Sequence, residues 1–454
     1  MTSSPAPARV NPAVEHDVTF SDTARTPFDG VPFGHTIGMR RPHALIDNSL
    51  SALVEGYTWL PARRARSASG VAHTRVLGQR AVGLCGPDAA RFFYDEDHVR
   101  RHTAIPWPVQ NTLFGRRAVH TLDGDRHRRR KSIFLTVVNR HTARTLADGV
   151  GTSWDDAAAS WEPGRPVVLF DEAARVLTRA VCRWAGVPLA DAQVPVVARD
   201  LVAMVDGFAT PGPRHWRARA ARGRREAWLG NLVTQVRDGA LSVPAGSALA
   251  AVSAHREVDG EELSPRLAAV ELLNVIRPTV AVCWFVAYAG HALHRWPEHR
   301  QSLRDGDRDF ALAFAHELRR FYPFAPFIGG RAVRELTWHR DRIPKHAMVL
   351  LDLWGHNHDE RLWGDPFAFR PERFLGRDIG PFELVPQGAG DPETNHRCPG
   401  EPLTVAILRT LAVRLAQTDY TVPEQDMTIS LRRVPARPKS GFVLVPTGTA
   451  SHSS

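Results

Sequence analysis

The chain has 454 residues, 43% of them hydrophobic, ample for a large buried core. Its four cysteines, Cys85, Cys182, Cys283 and Cys398, lie far apart, which argues against a disulfide framework and for a reducing compartment. No run of about 18 uncharged apolar residues occurs, because Arg277 interrupts the best candidate, and the N-terminus has no signal-like hydrophobic stretch; stable membrane insertion is not expected, and the expected location is the cytoplasm.

Residues 1–42 are rich in Ala, Pro, Thr and Ser and weakly periodic, which reads as a mostly disordered tail before a single domain over 43–454. Alternation over 68–84, centred on Leu77-Gly78, predicts a hairpin. A helix is expected from Asp88 to Phe93. From Arg126 to about Trp296 the pattern is overwhelmingly helical, with Pro/Gly breaks at 162–166, 187–195 and 211–213. Ser264 and Pro265 read as the N-cap and first position of a long apolar helix reaching about Leu293. The final third mixes short strands with helices, so the expected class is mainly α with small β-sheets. The net charge of +10 gathers partly in two runs, Arg126 to Lys131 and Arg214 to Arg225. Nucleic-acid binding and attraction of anionic ligands are possible readings, but solvated helix faces are the favoured one.

Two residues in the long helix violate its pattern. Arg277 stands among apolar neighbours and Pro278 follows it. An internal proline costs about 3 kcal/mol in a helix, and a buried unpaired guanidinium is costlier still. Either Arg277 is neutralised by a core carboxylate, or it waits for an anionic ligand; two adjacent penalties favour a functional site.

Cys398 carries the most chemical information. It follows Pro386-Gln387-Gly388-Ala389-Gly390 by seven residues, opens Cys398-Pro399-Gly400, and precedes a helical stretch from Leu403 to Leu415. Glycines let backbone approach a flat cofactor, and a helix N-terminus favours a thiolate. With no second cysteine or histidine pair at zinc spacing, a lone thiolate on haem iron fits best. Upstream, Glu317 and Arg320 sit three apart in the helical segment Phe310 to Tyr322, and Phe369-Arg370-Pro371-Glu372-Arg373-Phe374 follows.

Taken in order, these motifs resemble the cytochrome P-450 superfamily, where the Glu-x-x-Arg pair has a structural role, locking the segment beneath a haem. Arg277-Pro278 stands where typical monooxygenases carry an acid–alcohol pair. In this the chain is similar to the bacterial fatty-acid peroxygenases of that superfamily. The likeness runs from about Asp47 to Val445, through Glu55-Gly56-Tyr57, Gln110 to Gly115, Trp184 to Leu189, Gly212 to Trp216, Arg319 to Phe324 and Asn357-His358-Asp359. It implies a haem-thiolate fold, haem b with Cys398 as iron ligand, long-chain fatty acid as substrate and hydrogen peroxide as oxidant, with no obligatory redox partner and no nucleic acid.

On that reading Arg277 grips the substrate carboxylate, which serves as the acid–base group, and Pro278 shapes the helix around it. Oxidation then falls at the alpha or beta carbon. The resemblance places Phe114 against substrate, His120 in the distal pocket and Arg101, His127 and Lys131 at the haem propionates. Taken alone, Phe114 and His120 read as core residues, and His127 and Lys131 as a solvated helix face. Alkene-forming members of the family tend to carry histidine at the His120 position, so terminal alkenes are expected beside beta-hydroxylation, in a ratio that follows imidazole titration near neutrality. His356 and His358 lack further ligands and are not read as a metal site. The competing functions are a reductase-dependent monooxygenase and a non-enzymatic haem-based lipid carrier or sensor. No Gly-x-Gly-x-x-Gly or flavin module is present to support the first.

Overall fold

The computed structural model describes residues 28–29, 47–208 and 210–447. Helices dominate, as expected. Arg140–Ala159 packs against Glu401–Gln417 and Leu169–Trp184, while Pro213–Arg237 packs on Val194–Asp206 and Pro265–Val280. Their apolar faces meet in one cluster that includes Trp154, Leu177, Trp284, Phe314 and Leu411. Beside it lies a five-stranded sheet in the order Ala72–Val76, Gln79–Leu84, Met348–Asp352, Phe327–Ala332, Val99–Arg100. Only the Gln79–Leu84/Met348–Asp352 pair is parallel.

The expected hairpin is present, with Ala72 opposite Gly83 and a turn at Leu77-Gly78. Within the segment read as a tail, Phe28–Asp29 pairs with Ile429–Ser430, and the Phe28 ring lies 5.1 Å from Phe321. The rest of 1–42 lies outside the described residues.

The central helix starts as expected, with Ser264 Oγ accepting from the Leu267 amide at 3.3 Å. It does not run unbroken to Leu293. Pro265–Val280 ends just past Pro278, and Cys283–Arg295 resumes after two residues. Pro278 cannot donate to the carbonyl one turn back, and the chain tightens to three-residue spacing, Val282 to Thr279 and Trp284 to Ala281, both at 3.2 Å. This stretch is apolar and long enough to cross a membrane, yet 94% of its 18-residue apolar window is buried inside the protein, as a core helix.

The basic runs are only partly the solvated faces expected. Arg130 pairs with Glu257 and Glu271, Arg222 with Glu226, and Arg224 and Arg225 with Asp200. Arg130, Lys131 and Arg222 are buried. Arg222–Glu226 is an i,i+4 pair within one helix, but Asp200, Glu257 and Glu271 come from other segments and turn these positive stretches into packing interfaces, which a local reading of charge cannot foresee.

Candidate active site

The Cys398 loop is shaped by its glycines. Gly388 and Gly390 adopt φ of 94° and 83°. A Cβ on Gly388 would lie 2.4 Å from Tyr94 Oη, and one on Gly390 2.5 Å from Asn395 Oδ1. Cys398 N–H donates to Gln387 O at 3.0 Å, and Gln387 Nε2 points at Sγ from 3.8 Å. Arg319 donates to Gln387 Oε1 at 3.1 Å and pairs with Glu401, which also accepts from Arg397 at 2.7 Å. Cys398 keeps partial exposure. Burial pushes its thiol above the ordinary value, and the Gly400 amide and Lys131 oppose this only in part. The helix start therefore only partly offsets the effect of burial on this thiol.

Behind this loop, Glu317 and Arg320 form the expected pair, bidentate at 2.7 Å through both oxygens, with both side chains fully buried. Arg320 also donates to Asn357 O and Pro366 O, and Glu317 accepts from Arg370 N and Arg373 Nε. The pair thus fastens the Phe369-to-Phe374 segment.

The opposite side is built by the central helix and the segment Gln110 to Thr121. Gln110–Phe114 forms a wide turn closed by Gly115 N–H on Gln110 O at 2.7 Å. The Phe114 and His120 rings lie 4.3 Å apart, and Arg277 Cζ sits 6.0 Å from the Phe114 centroid. Arg277 is 5% exposed. Its one side-chain bond runs from Nη2 to Asn274 Oδ1 at 3.3 Å, Nε has no partner, and among the described residues no carboxylate lies within ion-pair distance. Burial, then the Arg222 guanidinium beside it, lower its pKa to about 9, so it is protonated at neutral pH.

The carboxylate that might have neutralised Arg277 is engaged elsewhere. Glu271, fully buried, accepts from Arg130 Nη1 at 2.7 Å, Val119 N at 2.9 Å and Asn274 Nδ2 at 3.3 Å. Asn274 Nδ2 also donates to Phe114 O at 2.8 Å, leaving Oδ1 for Arg277. Glu271, Asn274 and Arg277 lie at successive three-residue steps along the helix. Sequence reading missed the first two, although that spacing was visible.

His120 Nδ1 is buried without a partner. Burial, then the Arg277 guanidinium, hold its pKa well below the ordinary imidazole value. This overturns the expectation of titration near neutrality: a cation beside a desolvated imidazole keeps it neutral.

A third corner joins the remaining expected residues. His127 stacks on His396 with ring centroids 3.8 Å apart; His127 Nδ1 lacks a partner, and His396 Nε2 faces Asp123 Oδ1 at 3.6 Å. Burial, then the neighbouring His396 and Lys131, lower the pKa of His127 to about 2. Lys131 is buried and bonds the carbonyls of Asn395 and, at 3.1 Å, Arg397, so it clamps the cysteine loop. Burial lowers its pKa to about 8. Arg101 donates to Gly329 O at 2.6 Å and lies 4.4 Å from the Phe93 ring centroid. His396, two residues before Cys398, was missed by sequence reading. His356 and His358 bond backbone oxygens of Glu383 and Trp354, a structural role.

The residues fit a haem. A partly exposed cysteine lies in a glycine-shaped loop, and the unpartnered His127 Nδ1 shares a corner with Arg101 and Lys131, as acidic propionates require.

Comparison with known proteins agrees. The Cytochrome P450 family profile matches residues 307–432. Carnosic acid synthase of Rosmarinus officinalis is 39% identical over 111 residues, 23% of this chain and 21% of that protein. The matches to such curated relatives span only about a fifth to a third of their length. Solved structures match far more. Cytochrome P450SP alpha (CYP152B1) in complex with (R)-ibuprophen is 39% identical with a TM-score of 0.85, over 88% of this chain and 98% of that one. A variant of cytochrome P450 OleT in complex with arachidonic acid is 35% identical with a TM-score of 0.85, over 88% and 96%. The chain belongs to the cytochrome P450 family, whose members are haem-thiolate proteins. Within it, the chain is a member of the group that contains P450SP alpha and OleT.

Proposed function

We propose that the chain is a peroxygenase that uses hydrogen peroxide to oxidise long-chain fatty acids at the alpha or beta carbon, with decarboxylation to terminal alkenes, and needs no redox partner. The observation that carries this is Arg277: a protonated, buried guanidinium with an unpartnered Nε, close enough to Cys398 to feel its charge. Both solved relatives named above bind carboxylic acids, and a carboxylate is the ligand that a forked guanidinium matches best.

In this reading Cys398 holds the haem iron, and Arg101, His127 and Lys131 face the propionates. Bound haem b supplies the oxidising chemistry. The chain's own residues do the rest. Arg277 binds the substrate carboxylate, which fixes the first carbons of the chain in one place. Asn274 occupies one Nη, leaving Nε and the other Nη for the ligand. The anchored carboxylate takes and returns the peroxide proton, the task an acid–alcohol pair performs in other family members. Phe114 and neutral His120 pack against each other over the anchor and exclude water from it.

Turnover of palmitic acid with hydrogen peroxide and no reductase tests the proposal, with products read by gas chromatography. Products that appear only when an electron-transfer partner is added would identify a reductase-dependent monooxygenase. No product under either condition would leave a lipid carrier.

A further inference from the structure

The helix Ser49–Glu55 turns its apolar residues outward. Leu50, Leu53 and Val54 are 73%, 47% and 55% exposed, and their i, i+3, i+4 spacing puts them on one face. Next to them stands the tip of the 72–84 hairpin, where Leu77 is 54% exposed. Leu77 and Gly78 have φ of 51° and 73°, a turn that favours Asn-Gly and strains a leucine. Leu77 is thus disfavoured both by conformation and by hydration. The tip is also bolted to the helix: Leu77 N–H donates to Ser49 Oγ at 2.6 Å, Gly78 N–H to Asp47 Oδ2 and Ser49 N–H to Asp47 Oδ1. The four exposed side chains thus stand on two elements joined by hydrogen bonds, an apolar plate on which strain is tolerated to keep a leucine in water.

The charges around this plate are mainly positive. Arg75 and Arg80 face each other across the hairpin stem, and Arg432 abuts Gly56 at the end of the helix. The nearby acids are consumed internally, Asp47 by the amides above and Glu55 by Arg63 at 2.8 Å.

We propose that this plate docks the protein reversibly onto anionic lipid bilayers. Leucines and a valine enter the interface while arginines meet the headgroups, a combination that suits an anionic leaflet and not a bare protein surface. The contact is peripheral and compatible with a chain whose one long apolar helix stretch, among the described residues, is buried.

The test is flotation of the full-length holoprotein with vesicles of 30% phosphatidylglycerol in phosphatidylcholine, compared with pure phosphatidylcholine. Binding is expected to the mixed vesicles, at least tenfold weaker to the neutral ones, and weakened at least tenfold by combined Leu50→Ser, Leu53→Ser and Val54→Ser. Leu77→Asn relieves the turn, so it is expected to keep or raise Tm while weakening vesicle binding; this separates docking from folding. Arg75→Gln with Arg80→Gln is expected to erase the preference for anionic lipid. The proposal is overturned if wild type binds neither vesicle, or if the serine and asparagine variants bind as wild type does. A dimer in sedimentation velocity that the serine variant dissociates, without vesicle binding by wild type, would instead make the plate a contact between two copies.

Discussion

Two buried arginines of this protein behave in opposite ways. Arg320 is fully enclosed and meets both oxygens of Glu317 and three backbone carbonyls. Arg277 is almost as deeply buried and has a single 3.3 Å bond to an amide oxygen. A buried charge with a complete shell is scaffold: its desolvation is already offset. A buried charge with a vacant fork is destabilising in the free protein and retains its binding capacity for a ligand.

The contrast breaks first at Arg277. Arg277→Ala is expected to lose fatty-acid turnover by several orders of magnitude while Tm stays the same or rises, because an uncompensated charge is removed. Arg277→Lys keeps charge without the fork and recovers little of the activity. Wild-type turnover in the alanine variant, measured by peroxide-driven product formation, would remove the proposed anchor.

Arg320→Ala gives the reverse pattern. It leaves Glu317 buried without its bidentate partner and is expected to destabilise the protein by about 3–5 kcal/mol, with loss of haem retention, read by urea unfolding and the Soret band. A folded, haem-loaded variant with only a slower rate would move Arg320 from scaffold to catalysis. The ligand itself is checked by Cys398→Ala, expected to abolish the red-shifted Soret band of the reduced carbon monoxide complex that thiolate ligation produces.

Asn274→Ala sharpens the difference without removing either charge. Losing the amide that holds one Nη frees the guanidinium to rotate. Roughly tenfold weaker fatty-acid binding is expected, near the value of one hydrogen bond to a charged group, with a blurred alpha-to-beta product ratio. A change in kcat alone, at unchanged regiochemistry, would speak against a positioning role.

The smallest effect concerns His120. With its pKa well below the usual value, the imidazole is neutral both at pH 6 and at pH 8, so the alkene-to-hydroxy-acid ratio should stay flat across that range. A ratio that follows a transition near pH 6.5 would show that ligand binding restores an ordinary imidazole. His120→Gln is expected to favour the hydroxy acid, and equal ratios in the two proteins would remove His120 as the determinant.

Much of the site was legible because its signals are local. The glycines before Cys398, the three-residue spacing of Glu317 and Arg320, and an arginine before a proline inside an apolar helix each state a physical conflict or constraint within one short segment. The same holds for the Ser264-Pro265 helix start and the Leu77-Gly78 turn. What stayed hidden depends on partners far along the chain. Glu271 meets Arg130 and Val119 across 141 and 152 positions, and these contacts, not the helix sequence, commit its carboxylate and leave Arg277 unpaired. His396 acquires meaning only when it stacks on His127. The basic runs looked like solvent faces until Asp200 and Glu271 arrived from other helices and Glu257 from a loop. By itself the sequence determined which residues carry charge, nucleophilicity or strain, because those are properties of side chains and near neighbours. Tertiary structure alone decided which charges are neutralised and whether an imidazole titrates, because both depend on burial and on groups that only folding brings within a few ångströms.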